Sequence, residues 1–355
     1  MKRNTILFAV AAVLLLAGSC RTRACTSFVF RGANGPVFAR NFDYMFGGGT
    51  LLVNPRGLEK VALTMGNRAR WTARYGSVTF NLYGREQPMG GMNEAGLVVE
   101  NMWLESTIYP GPDARPGVNN LQRIQFMLDS CATTAEVLAA APGLRINPDS
   151  PARIHYLVCD AEGEAAAIEY IDGELVIHAG DSLAYAAMAN SVYEKSAAFL
   201  ASGADTTGMN DADEANSLGR FATAAEAAVR LDAERPEEMF AEAFAVLDTV
   251  CAGPWTHWRI VYDIAARRIV YRTHVNPAER SISLAALDFS CASPVSGIEL
   301  DAPGEGDVAG ALAPFTTEMN RALVRSSFGN TDFLKEAIPL NILEIIAVYP
   351  ERLVC

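Results

Sequence analysis

Cys25-Thr26-Ser27-Phe28-Val29-Phe30-Arg31, followed a few residues later by Pro36-Val37-Phe38-Ala39-Arg40-Asn41-Phe42-Asp43-Tyr44, is the stretch on which the fold turns. Both runs are dense in aromatic and β-branched residues, and Gly and Pro punctuate the interval between them. They read as two strands paired antiparallel at the start of a sheet. Strand character returns at Leu51 to Val53 and at Gly96 to Trp103, where Leu97, Val98 and Val99 form an apolar run suited to a strand covered on both faces. From Asn119 to about Ala141 the spacing becomes helical, with Leu121, Ile124, Met127 and Leu128 on one face. Strands resume at His155 to Asp160 and at Ala166 to His178, the latter broken by the hairpin signal Asp172-Gly173, and again from about Ala184 to Ser191. Ser202 to Asn216 is rich in Gly, Asp, Asn and Thr and reads as an exposed loop. Helices over Ala222 to Ala233 and Pro236 to Cys251 follow, then a hairpin of Trp258 to Asp263 with Arg268 to Thr273. Strand runs segregated from helix runs predict an α+β protein: a four-layer αββα sandwich of two antiparallel sheets between helical layers, in one domain. The last 60 or so residues show only a helix signal around Thr316 to Arg325.

Half of the 355 residues are apolar and 20% are charged, an ordinary globular composition that can bury a large core. Acidic residues outnumber basic ones by 41 to 29, and no Lys/Arg cluster follows the N-terminal segment, which argues against nucleic acid as a partner. Lys2 and Arg3, the apolar run Ile6 to Ala17 and the small residues after it have the layout of an export signal. That run falls short of the ~20 residues a membrane-spanning helix needs. Residues 1–24 therefore read as a signal peptide with a short pro-segment, residues 25–355 as the mature domain, and the destination as the periplasm or envelope. Two cleavage readings stay open: Ala17-Gly18-Ser19-Cys20 resembles a lipobox ending in a lipid-anchored Cys20, and Thr22-Arg23-Ala24 resembles a signal-peptidase site before Cys25. The seven cysteines include no C-x-x-C pair, so no metal site is signalled. Cys131 and Cys159 lie in apolar segments and read as buried thiols; no disulfide is assigned. Asp211 and Asp213 lack the Gly and closing Glu of a calcium loop.

A cysteine at a mature N-terminus carries both a thiol and an α-amine. The amine, titrating at about 7.7–8.0, can accept the proton of a thiol titrating at ~8.5, or a neighbouring cation can hold the thiolate, with no histidine needed. His155, His178, His257 and His274 keep a Cys-His peptidase open as an alternative, though none sits in that family's local signature. A structural cysteine is the other alternative.

At Phe38 to Asp43 the sequence resembles the choloylglycine hydrolase family, which includes conjugated bile acid hydrolases and penicillin V acylases. The resemblance continues through Val53-Asn54-Pro55-Arg56-Gly57, Gly90-Gly91-Met92-Asn93-Glu94-Ala95-Gly96-Leu97, Met188-Ala189-Asn190-Ser191, Arg220-Phe221 and Trp258 to Asp263. It spans roughly Cys25 to Pro277 and implies an N-terminal-nucleophile hydrolase of linear amides that needs no cofactor. By that resemblance Cys25 is the nucleophile and Arg40 stabilises its thiolate, an ion pair of Arg40 with Asp43 being the alternative. Asp43 would accept from the α-amine, Asn190 would donate to the oxyanion, and Arg220 would steady the nucleophile region. Trp103 departs from the Asn of typical bile salt hydrolases: its backbone N–H is expected at the oxyanion hole and its indole as an apolar wall, as in the Gram-negative penicillin V acylase branch. The interval from Asn190 to Arg220 is shorter than the stretch that forms a tetramer arm in bile salt hydrolases, which leaves any homo-oligomer open. The implied substrate is a small N-acyl amide of bile-acid or penicillin V type, with an N-acyl homoserine lactone as an alternative. A non-catalytic envelope lipoprotein acting as a binding module is the alternative from another class.

Overall fold

β1 (Thr26–Gly32) and β2 (Gly35–Asp43) pair antiparallel along their whole length, Thr26 opposite Asn41 and Gly32 opposite Gly35. The turn between them needs positive φ, and Gly35 sits at 138°. A computed structural model describes residues 24–148, 150–335 and 338–355; the apolar run Ile6 to Ala17 and Cys20 lie outside the described residues. β2 carries β15 (Thr256–Asp263) on its other edge, and β16 (Arg268–Thr273), β17 (Arg280–Ser283) and β19 (Gly306–Asp307) continue the sheet. The short β14 (Ala187–Met188) closes it beside β1, making seven strands.

The second sheet has nine strands. In spatial order they are β13 (Glu174–Ala179), β12 (Ala165–Ile171), β11 (Ile154–Cys159), β8 (Val98–Trp103), β7 (Pro88–Asn93), β6 (Ser77–Asn81), β3 (Thr50–Asn54), β18 (Ser296–Glu299) and β20 (Ala313–Pro314). Two accessory pairs stand apart, β4 (Glu59–Val61) with β5 (Arg70–Thr72) and β9 (Gly117–Val118) with β10 (Arg145–Ile146). The sheets face each other through Phe80 of β6, whose ring meets Trp258 and Tyr262 of β15 at 6.2 and 6.4 Å, while Ser27 of β1 reaches Met102 of β8. Helices cover the outer faces: α1 (Asn120–Ser130), followed by α2 (Thr134–Ala140), lies on β7 and β8. On the other side α3 (Tyr193–Ala201) precedes α4 (Ala212–Glu234), which covers β1, and α5 (Met239–Thr249) covers β2 and β15. The αββα sandwich is the expected one. Strands such as β2 and β8 are buried on both sides, one facing the opposite sheet and the other a helix. Full burial of a side chain such as Phe42, stacked on Trp258 at 4.0 Å, contributes ~1.5–3 kcal/mol.

Three elements differ from the sequence reading for local reasons. The helix expected over Asn119 to Ala141 is two helices, because Thr133 accepts from Glu136 N–H and caps a new start. The loop expected to Asn216 ends at Ala212, because Asp211 accepts from the N–H groups of Asp213 and Glu214, and those acids suit the helix N-terminus. Asp211 and Asp213 are thus a helix cap. The strand from Ala184 pairs only at Ala187 and Met188. The hairpin at Asp172-Gly173 forms as read, with φ of 53° and 85°.

The C-terminal segment builds α6 (Thr317–Gly329), the single turn α7 (Asp332–Lys335) and α8 (Leu340–Val348). α6 packs on the loop after β6, where Gly84 at φ 105° lies so close that a side chain there would strike Val324. Cys291 and Cys355, unassigned from sequence, form a disulfide across 64 residues, and Glu59 N–H donates to Val354 O at 2.8 Å.

Candidate active site

Cys25 immediately precedes β1, so the β1–β2 register decides what surrounds its sulfur. The thiol is buried and donates to the Asp43 carbonyl at 3.6 Å, and the Arg40 guanidinium lies within hydrogen-bonding reach of it. Burial pushes the Cys25 thiol up from its usual value; Arg40 pulls it back and the Asp43 charge raises it further. Arg40 is thus the group that favours thiolate, by placing a cation beside it.

The expected alternative, an Arg40–Asp43 ion pair, is not what forms. Three positions apart on one strand, the two side chains leave opposite faces. Arg40 points between the sheets, where it pairs with the buried Glu100 of β8 and donates to the carbonyls of Met89 and Asn101, each at 2.7 Å. The Tyr262 hydroxyl donates to the other Glu100 oxygen. Burial raises the Glu100 carboxyl to about 7, against Arg40 and Tyr262, which hold it down. Burial is the largest influence on Arg40 and opposes its charge, but Glu100, Cys25 and Tyr262 together outweigh it and keep the guanidinium above its ordinary range. Glu100 was not singled out from sequence. The signal for it was the adjacent glycine pair: Gly90 lies opposite Glu100, and any side chain there would collide with the carboxylate.

Asp43 ends β2 beside a β-bulge in β15 between Thr256 and Trp258. Its carboxylate is buried, and neither oxygen has a well-aligned hydrogen bond from a described residue. Burial lifts its pKa to about 6, opposed by the Thr256 hydroxyl and by the charges of Arg220, Arg259 and Arg40.

Arg220 leaves α4 and ties three parts of the site together. It donates to the Cys25 carbonyl and the Thr26 hydroxyl at 2.7 Å each, and to Asn190 Oδ1 at 2.9 Å. Holding Oδ1 fixes which end of the Asn190 amide faces inward, and Nδ2 then donates to the Trp103 carbonyl at 2.8 Å. A neutral amide with its oxygen pinned by a cation is a fixed donor, which an oxyanion requires. Trp103 contributes its carbonyl to this network, while its indole packs edge-to-face on Phe333 at 5.9 Å and donates to Glu105 at 2.9 Å.

Cys25, Asp43, Asn101 and Trp103 line one end of a cavity of about 620 Å³, within the size range of small-molecule sites. Arg40, Asn190 and Arg220 are not among the lining residues and reach the site through their bonds to its members: Arg40 to the Asn101 carbonyl, Asn190 to the Trp103 carbonyl and Arg220 to the Cys25 carbonyl. Among the described residues no histidine lines the cavity: His155 lies between Glu169 at 2.8 Å and the Ala189 carbonyl at 2.9 Å, and His257 contacts the Tyr44 carbonyl at 3.0 Å. The remaining recognised strings serve as scaffold. Asn93 holds the end of α1 through the Leu128 and Cys131 carbonyls, and Arg56 pairs with Glu94 at 2.8 Å.

With this geometry, the family model for linear amide C–N hydrolases of the choloylglycine hydrolase family matches residues 25–297. The chain belongs to the choloylglycine hydrolase family. A penicillin V acylase from Pectobacterium atrosepticum is 31% identical over 202 residues, which are 52% of this chain and 53% of that protein. The match thus spans about half the length of that curated relative. The structure of penicillin V acylase from Agrobacterium tumefaciens superposes with a TM-score of 0.70 at 29% identity, covering 82% of this chain and 98% of that one. A mutant form of conjugated bile acid hydrolase from Clostridium perfringens superposes at 0.65 with 14% identity, over 80% of this chain and 98% of that one, a likeness of fold.

Proposed function

We propose that this choloylglycine hydrolase family member is an exported, periplasmic or envelope-associated amidase that cleaves a linear amide C–N bond of an N-acyl small molecule through an acyl thioester on Cys25. The observation that carries the reading is the placement of the Cys25 thiol at the end of a largely apolar cavity beside the Arg40 cation, with Arg220 joining the Cys25 carbonyl to the Asn190 amide. Removal of residues 1–24 turns the Cys25 nitrogen into an amine. The Asp43 carboxylate, buried and poorly partnered, is the group that would orient it. The amine takes the thiol proton, the sulfur attacks the carbonyl carbon, and the oxygen charge is met by the second N–H of Asn190 with the Trp103 backbone N–H. Collapse forms the thioester as the same amine passes its proton to the leaving nitrogen; water then attacks the thioester and releases the acid. Penicillin V, a glycine-conjugated bile acid and a long-chain N-acyl homoserine lactone all join an apolar acyl part to a small polar amine and are the substrates to compare.

The test combines intact-mass analysis of exported protein with amine release from these three amides, for wild type and Cys25→Ala. A chain beginning at Cys25, with turnover abolished in the variant, is the expected result. Active protein with residues still attached ahead of Cys25 would remove the mechanism. A mature N-terminus at lipidated Cys20 with no amide turned over would favour a binding lipoprotein instead.

A further inference from the structure

α8 carries two apolar faces, and folding accounts for only one of them. Leu343 and Ala347, at i and i+4, are buried against the body, where the Ala347 carbonyl accepts from Asn320 of α6 at 2.7 Å. Glu344 is held on the polar side by a bidentate pair with Arg321. Ile342, Ile345 and Ile346 fall at i, i+3 and i+4, one stripe of the helix, and together with Ile338, which lies ahead of the extended cap Pro339, they line the cavity that holds Cys25. Ile342 and Ile345 remain 37% and 39% exposed, an unusual position for two isoleucines unless something apolar covers them.

The stripe is fixed in place at both ends. Upstream, Ser327 of α6 donates to the Leu82 carbonyl, Tyr83 bonds Thr331 at 2.7 Å and packs on Phe328, and Phe333 of α7 meets the Trp103 indole. Downstream, Val354 bridges to Glu59 and Cys355 is bonded to Cys291. This segment lies beyond residue 297, where the family match ends. The catalytic residues and the far wall of their cavity therefore come from separately built parts of the chain.

We propose that α8 is the acyl-selecting wall of the site: its isoleucine stripe takes the distal part of an extended aliphatic acyl chain, and the Cys291–Cys355 bond holds the wall at its working distance from Cys25. The inference rests on the amidase reading for its catalytic consequence, but not for its binding consequence. Each methylene laid on such a wall adds ~0.8 kcal/mol when fully buried, roughly fourfold per carbon. A short acyl group that ends before the wall gains nothing from it.

The experiment uses the full mature chain and N-butyryl-, N-octanoyl- and N-dodecanoylglycine. Calorimetric binding is measured on Cys25→Ala, with and without Ile342→Ala plus Ile346→Ala, and glycine release is measured with Cys25 intact. Dodecanoylglycine should bind at least thirtyfold tighter than butyrylglycine. The double substitution, and separately Cys355→Ser, should each cut that ratio tenfold or more, with the kcat/KM ratio following. A binding ratio near one, or one unchanged in both variants, overturns the proposal whatever the turnover. Preferential binding of the long chain with no glycine released from any of the three would keep the wall and count against the amidase reading. Circular dichroism on the double variant guards against unfolding, and Cys355→Ser, at a position that does not itself line the cavity, tests the same claim independently.

Discussion

The nucleophile end of the cavity and its opposite wall are built by different physics. Around Cys25, position follows from backbone ladders: β1, β2 and β15 fix Cys25, Arg40 and Asp43 through strand register, and charge-assisted bonds from Arg40 and Arg220 lock the remainder. At α8, position follows from side-chain packing on a short helix, a β-bridge and one disulfide. The first arrangement tolerates almost no displacement, because a one-residue slip would turn every side chain of β2 to the other face. The second can vary in shape without disturbing the chemistry. Reaction type thus belongs to the sheets, and acyl selection to the added helices.

That division breaks first at Glu100. Glu100→Gln leaves Arg40 as a buried cation without its anion, at a cost of about 3–5 kcal/mol in stability. With Glu100 no longer neutralising it, Arg40 acts more strongly on the sulfur, so the thiol pKa should fall. Urea unfolding and the pH dependence of iodoacetamide alkylation measure the two effects. Full stability with an unshifted alkylation profile would show that Glu100 does not govern the nucleophile through Arg40.

Asn190→Ala comes next. Loss of one oxyanion donor lowers kcat by ~10²–10³, with little change in KM. Because Asn190 also bonds the Trp103 carbonyl, a purely structural role would instead move the melting temperature and KM together. The split between the constants decides whether the Asn190 N–H groups serve the oxyanion or only the scaffold.

A pH experiment separates the processed from the unprocessed chain. With the Cys25 nitrogen still in a peptide bond, burial places the Asp43 carboxyl at about 6, above the ~3.9 of an unfolded aspartate. The fold therefore holds the proton more tightly than the unfolded chain does. This stabilisation is complete below about pH 4 and is lost as pH rises through about 6, for a total of ~3 kcal/mol. Asp43→Asn should flatten that slope. Freeing the α-ammonium beside the carboxylate should also flatten it, by drawing the pKa down. Denaturation at pH 4, 5, 6 and 7 on a chain that retains residues ahead of Cys25, and on one that begins there, checks the sign.

What was legible in the sequence follows the same division. Strands read well where apolar runs were continuous, as in β1, β2 and β8, whereas Arg40, Asp43, Trp103, Asn190 and Arg220 were singled out through the family resemblance of the short strings around them. Glu100 escaped because a lone Glu in an apolar strand gives no sign of its partner across the sandwich. α8 escaped because its stripe follows directly on Pro339 and is only two turns long, and a run such as Ile342 to Ala347 fits a buried strand as well as a helix. Cys291 and Cys355 were unreadable as a pair, since connectivity depends on where the tail lies in space.

The smallest effect concerns the tail itself. Reduction of Cys291–Cys355 frees a loop of 64 residues, and removing such a bond typically costs about 2–5 kcal/mol. Here the low end applies, because α6 remains anchored by Ser327, Tyr83 and Asn320 on their own contacts. The loosening should be local. Amide exchange should accelerate over α8 and β4, where Val354 pairs with Glu59, and stay unchanged over β1 and β2. Alkylation of Cys25 should proceed at the same rate before and after reduction, because the bonds of Arg40 and the charges that act on Asp43 come, among the described residues, from outside the disulfide-bonded tail. Exchange that quickened equally in β1 and in α8 would mean that the two regions unfold as one unit, and the separation of chemistry from selection would then lose its physical basis.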